Sequence, residues 1–259
     1  MKKYKIMSFN LRYENEFDKY SWNIRKNSVK KVIEKYSPDF IGFQEVKENQ
    51  LKDLKILLEN KYDFYGVFRD ETDGKEMNPI FVKNNKFNLR HTNTFWLSKN
   101  ITEKFNIGWD GDLARICSFG IVSDKSTNEN LFVFMNTHFD HVGINARIKS
   151  SDLIINSSKL LSLAFNIPVI ITGDFNTRPI DGYIDKLLNH KDFDNSFNHF
   201  KNKENTLTIH NYSDEVEGQP IDYVFTQNPI KILSSEIIRD KFDDIFTSDH
   251  YQVLVKIEI

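Results

Sequence analysis

Short apolar runs alternate with amphipathic stretches along the whole chain. YKIMSFNL, residues 4–11, reads as a strand. Apolar positions then recur at helical spacing over 22–36, behind a capping Ser21 and ahead of Ser37-Pro38, which predicts a helix. DFIGFQEV (39–46) predicts a second, buried strand and NQLKDLKILLEN (49–60) an amphipathic helix. Strands are expected around 63–69, 79–83 and 87–96. ICSFGIVSD (116–124) and LFVFMNTHF (131–139) flank the polar KSTNEN, the pattern of a hairpin. Helical spacing returns over 145–165. A strand at 168–172, a short helix near 181–189, a strand at 221–226, a run near 230–238 and a strand at 251–258 complete the series. No repeat, low-complexity tract or Pro/Gly/Ser-rich linker interrupts it, so one domain over 1–259 is expected. Hairpins mixed with β–helix–β units point to an α/β (α+β) protein of two mixed β-sheets packed together, with outer helices.

Composition narrows the class without naming a function. The 259 residues suit one large α/β domain, and 39% hydrophobic with 28% charged residues is ordinary for a soluble globular chain. The 22 Phe predict an aromatic-rich core. A net charge of −2 and no dense basic stripe argue against a dedicated duplex-DNA binder. The basic stretch 24–35 places Lys26/Lys30 and Lys31/Lys35 at helical spacing, which reads as a solvated face. Cys117 is the only cysteine, which excludes an intrachain disulfide and the Cys-rich zinc patterns. The start, MKKYKIMSFNL, lacks the apolar stretch of a signal peptide, and no segment approaches the roughly 20 apolar residues of a membrane span. A cytoplasmic protein without a membrane role or evident protein partner is the expectation.

The chemistry gathers where strands stop. Asn10 ends the first strand, Gln44 and Glu45 the second, and His138 the hairpin strand. In ITGDFNTRP (170–178) an apolar run ends at Gly173, which allows a turn or a close backbone approach. Asp174 and Asn176 follow, two positions apart and so on one side of an extended chain. Asp222 lies between Ile221 and Tyr223, where a buried charge would need a partner. His250, in SDH beside Asp249, is the candidate. Each residue alone has an ordinary structural explanation. Together they form a kit for phosphoryl transfer: oxygens for a hard cation such as Mg²⁺ or Mn²⁺, a group to orient water, and donors for developing charge.

The ordered series Asn10, QE (44–45), NTHFD (136–140), GDFN (173–176), IDYVF (221–225) and SDH (248–250) resembles the endonuclease/exonuclease/phosphatase superfamily over nearly the whole chain. That resemblance implies a deoxyribonuclease-I-like fold, a four-layer α/β/β/α sandwich. It also implies Glu45 as principal metal ligand, with Asn10 and Asp249 beside the metal, and Asp174 as the residue that activates or orients water. Asn176 would contact the scissile phosphate. His138 and His250 would stabilise the transition state, with Asp222 orienting His250 and Glu76 supporting His138. TNTFWLSKN (92–100), GWDGDLARI (108–116) and NTHFDHVGINAR (136–147) look like a bacterial branch of metal-dependent hydrolases related to the deadenylase and nocturnin group. In that branch Arg115 and Arg147 would contact substrate, although either could equally form a surface ion pair, and His210 would line the same cleft. Trp96 and Trp109 could wall a pocket or pack in the core. The activity implied is hydrolysis of a phosphodiester or phosphomonoester. The substrate would be a small molecule or single-stranded RNA or DNA; a non-catalytic binding module is the other class.

Overall fold

The computed structural model describes residues 1–71 and 75–259. Fourteen strands and four α-helices follow in the order β1 (Lys3–Asn10), α1 (Trp22–Tyr36), β2 (Phe40–Gln44), α2 (Glu48–Leu57), β3 (Tyr62–Tyr65), β4 (Ile80–Lys83), β5 (Phe87–Trp96), β6 (Ile116–Asp124), β7 (Asn130–His138), α3 (Ile144–Phe165), β8 (Val169–Asp174), α4 (Asp185–Leu188), β9 (Phe193–Asn195), β10 (Asp222–Gln227), β11 (Lys231–Ile238), β12 (Lys241–Phe242), β13 (Ile245–Phe246) and β14 (Gln252–Glu258). Two six-stranded sheets result, ordered β11-β14-β1-β2-β4-β3 and β5-β6-β7-β8-β10-β9.

Both sheets are mixed, each with a parallel pair linked by a helix. β1 runs parallel to β2, with Asn10 opposite Gln44, and β7 parallel to β8, with His138 opposite Asp174. Alternation along the strands gives each sheet two apolar faces. Ile6 and Phe40 meet Phe132, Phe134, Ile170 and Val224 of the other sheet in the inner core. Met7, Phe9 and Phe43 face outward against Trp22, Val29 and Val32 of α1. Val133, Met135 and Ile171 pack outward on Ile154 and Ile155 of α3. The layers are therefore α/β/β/α.

Near the strand ends this apolar seam turns polar. Gln44 Nε2 donates to Asn136 Oδ1 (2.7 Å), as does Thr172 Oγ1 (3.0 Å), while Asn136 Nδ2 donates to the carbonyls of Phe43 (2.6 Å) and Pro79 (3.1 Å). A Cβ on Gly42 would lie 2.0 Å from Thr172 Oγ1, so only glycine permits this approach.

Some elements differ from expectation. Ser21 occupies the N-cap position of α1 but makes no side-chain cap bond. The strand expected over 63–69 stops at Tyr65. The helix expected near 181–189 is a 3₁₀ turn (Pro179–Asp181) and one turn of α4, divided where Gly182 takes φ 74°. In the basic stretch the lysines are exposed or half-buried, but Arg25 is fully buried. Among the described residues no helix is long and apolar enough to cross a membrane.

Candidate active site

Topology explains why chemistry collects at one edge. The parallel strands β1, β2, β7 and β8 end there, and the antiparallel strands β10 and β14 begin there. Asn10, Glu45, His138, Asp174, Asp222 and His250 thus converge from both sheets. Most line a cleft of about 1080 Å³, with Arg12, Arg69, Glu76, Arg115, His141, Asn176 and Asp249 around them. Arg12, Glu45, Asn176 and Asn211 all carry positive φ (48–60°) on this lining, the clustering of backbone strain typical of functional sites.

At the centre Asn10 Nδ2 donates to Glu45 Oε1 (2.9 Å) and to Asp174 Oδ2 (3.0 Å), bridging the two carboxylates. Asn10 Oδ1 accepts from the Arg12 N–H (2.9 Å), which fixes the amide orientation. Glu45 Oε2 accepts from the Tyr13 N–H (3.1 Å). Burial pushes the Glu45 carboxyl up, but the Asn10 bond, the His250 and Arg12 charges and the Tyr13 N–H outweigh it and hold Glu45 below the usual range. Asp174 goes the other way: burial and the Asp222 charge push it to about 7, against the pull of His250.

His250 Nδ1 lies 2.9 Å from Asp222 Oδ2, the partnership considered for the buried carboxylate. Burial opposes its charge, yet Asp222, Asp174 and Asp249 prevail and raise His250 to about 10, so it is an imidazolium at neutral pH. His138 is the opposite case. Burial first, then the Arg115 and Arg69 charges, drive it well below its ordinary value. Asn176 Nδ2 donates to Phe139 O (3.0 Å) and must therefore also be the donor to His138 Nε2 (3.0 Å). His138 is thus a neutral ring protonated on Nδ1. In this conformer both Asn176 N–H groups are engaged, and contact with a phosphate as donor requires one of them to be released.

Glu45, His138 and Asp174 each offer an atom within 4.8 Å of the others, as do Asp174, Asp222 and His250. The donor chemistry separates these sets. Asp222 faces a protonated His250, and His138 Nε2 is occupied by Asn176, whereas the Glu45 and Asp174 oxygens converge at the Asn10 bridge. The carboxylate oxygens gathered there suit a hard divalent cation. Asp249 stands nearby, its Oδ2 3.6 Å from Arg12 Nε, with burial raising its carboxyl. Glu76 does not bond His138; its Oε1 accepts from Arg69 Nη2 (3.1 Å), and burial with the Glu45 charge pushes it to about 7.

Two expectations are corrected, for Arg147 and His210, and the two tryptophans are placed. Arg147 is not on the cleft: Nη1 donates to Asp140 O (3.0 Å) and the guanidinium lies over Tyr183, because α3 turns it towards the 140–143 corner. His210 stacks on Tyr251 at 3.9 Å and donates from Nδ1 to Ser213 O (2.9 Å), while its neighbours Ile209 and Asn211 reach the cleft. Trp96 is in the core, its indole N–H on Arg69 O (3.0 Å), and half-buried Trp109 is outside the cleft lining. Sequence reasoning missed Arg12, Arg69, Asp140 and His141. The pair Asp140 and His141 sat within NTHFDHVG, but Arg69 in FRDE carries no signal beyond a mixed-charge strand exit.

Two mixed sheets with carboxylates and histidines over one shared edge define a deoxyribonuclease-I-like hydrolytic architecture. The chain belongs to the endonuclease/exonuclease/phosphatase family, whose profile matches residues 7–250 and whose members hydrolyse phosphoester bonds. Among solved structures it is similar to a Bacteroides vulgatus member of the family (30% identity, TM-score 0.88, all of both chains). It is also similar to a mannosyl-6-phosphatase of Bacteroides thetaiotaomicron (29% identity, TM-score 0.89, 99% of this chain and 100% of that one). The human nocturnin catalytic domain shares the fold (16% identity, TM-score 0.78, 99% of this chain and 94% of that one).

Proposed function

We propose that this chain is a divalent-metal-dependent phosphoesterase that hydrolyses its ester by in-line attack of water. The observation that carries the reading is the Asn10 bridge between Glu45 and Asp174, set beside the ion pair of His250 and Asp222. Glu45, with Asn10 and Asp249 alongside, would hold Mg²⁺ or Mn²⁺, which would supply Lewis-acid neutralisation of phosphate charge. Asp174, beside that site, would orient water and take its proton. The new oxygen–phosphorus bond forms as the bond to the ester oxygen breaks, and the leaving alcohol takes up a proton at that oxygen. His250, held charged by Asp222, donates a hydrogen bond to the phosphate as negative charge builds. Arg115 lines the same cleft as a further phosphate contact.

The substrate is small in this reading. Asp70, Glu71 and Asp112 stand on the cleft lining, where a polyanionic strand would meet them. The Bacteroides relative named for a sugar phosphate makes such esters a first trial. A binding module has less support, because every group the reaction needs is present.

Hydrolysis in ¹⁸O-labelled water tests the reading. The label should enter the phosphorus-bearing product, inorganic phosphate from a monoester and a phosphomonoester from a diester; label in the alcohol, or no turnover across phosphomonoesters and diesters with Mg²⁺ or Mn²⁺, would contradict it.

A further inference from the structure

The cleft also holds buried arginines. Carboxylates surround Asn10, whereas on the far side of His138 two arginines are buried together. Arg69 and Arg115 are 7% and 5% exposed, and both line the cleft. Neither is fully matched by protein groups. Arg69 donates through Nη2 to Glu76, and its Nε lies 3.3 Å from Asp70, but the buried Nη1 has no hydrogen-bond partner among the described residues. Arg115 Nη2 donates to His141 Nδ1 (3.1 Å), while its Nε is 3.6 Å from Asp140. That Asp140 carboxylate already accepts four backbone N–H groups, from Asp112, Leu113, Val142 and Gly143.

The backbone that carries each arginine is held before any ligand arrives. Arg69 is fixed by its own backbone bond to Glu76 O (2.8 Å) and by Trp96, whose indole donates to Arg69 O. Arg115 O accepts from the Leu97 N–H (2.7 Å). Glu76, Asp70 and Asp140 offset part of the cost of burying two guanidiniums, but Arg69 Nη1 is left without a hydrogen bond among the described residues. Burial first, then the Arg69 charge, already weakens the Arg115 guanidinium's hold on its proton. An anion with several oxygens relieves the cost, and planar guanidinium forks match phosphate geometry.

We propose that Arg69 and Arg115 form a seat for the terminal oxygens of a phosphate dianion, so that the substrate is a phosphomonoester rather than a phosphodiester. The proposal rests on the phosphoesterase reading and narrows it. A monoester brings three terminal oxygens and two charges, enough to satisfy the unpartnered Nη1 as well as Arg115. A diester has one such oxygen fewer and one charge fewer.

Two esters with one leaving group make the test: p-nitrophenyl phosphate and its methyl diester. Wild type should favour the monoester in kcat/KM, and Arg69→Gln or Arg115→Gln should cut that preference by about 10- to 100-fold, the worth of one hydrogen bond to a charged group. Equal use of the two esters by wild type, or variants that lose both esters alike, overturns the seat and leaves the phosphoesterase reading standing. Calorimetry with inorganic phosphate and with dimethyl phosphate decides the matter independently of turnover. Tighter binding of inorganic phosphate that both variants lose supports the seat even if neither ester is hydrolysed, in which case the catalytic reading fails alone. Equal binding of the two by wild type overturns it. Arg69→Lys keeps the charge without the fork and serves if Arg69→Gln does not fold; it should lose part of the preference.

Discussion

His250 is charged because Asp222 is behind it, and both are almost wholly buried. A histidine raised to about 10 in the folded state stabilises the fold fully below its unfolded value, near 6.5. That contribution is lost as pH rises through 10. Asp222→Asn should therefore drop the His250 titration from about 10 to 6.5 or lower, readable by NMR of the imidazole. Stability at neutral pH should fall by about 3 kcal/mol in denaturant melts, the cost of stranding one member of a buried pair, and kcat by about 100-fold or more. An unmoved titration would mean that Asp222 does not hold the ring. The partnership was legible in sequence because a carboxylate inside an apolar run needs a counterpart. Glu76 was less legible: its partner Arg69 lies seven residues away in the chain, and no spacing rule links them.

Among the elements, the strands were legible and their ends only partly so. Alternation revealed β1, β2, β6, β7 and β8 because one period of two serves both of their buried faces. It could not show that Gly42 is where the two sheets touch. Gly42→Ala should destabilise the protein by about 3 kcal/mol, since its Cβ would fall 2.0 Å from Thr172 Oγ1 and the sheets must part. A thermal melt within a degree of wild type would contradict the close approach. Arg25 shows the limit of charge reading. Its guanidinium donates to the carbonyls of Leu11, Arg12 and Thr247, tying together the two loops that carry Arg12 and Asp249. The neighbouring lysines are solvated as their spacing implies, but periodicity places Arg25 among them only if charge is assumed to mean exposure. Arg25→Met should leave those carbonyls unpaired and cost about 2–3 kcal/mol in a denaturant melt; an unchanged midpoint would mean that the loops hold without it.

At the scale of the molecule, a mixed α/β/β/α sandwich brings six strand ends to one edge, and that convergence makes scattered residues into a site. The order of motifs along the chain implied it, whereas the approach of Arg69 and Arg115 emerges only in three dimensions. Metal binding should be coupled to pH. Asp174, raised to about 7, contributes to stability in full below about 3.9 without metal and loses that contribution as pH climbs through 7. A cation needs the ionised carboxylate, so Mn²⁺ should raise the melting temperature by several degrees at about pH 8 and much less at about pH 5.5. Equal shifts at both pH values would place the ion elsewhere.

The most direct test of the account is the initial rate of phosphomonoester hydrolysis by wild type and Asp174→Asn, each with Mg²⁺, with Mn²⁺ and with chelator. The account predicts turnover that chelator abolishes, that added metal restores, and that falls by about 1,000-fold in the variant. Turnover indifferent both to chelator and to Asp174 would contradict it.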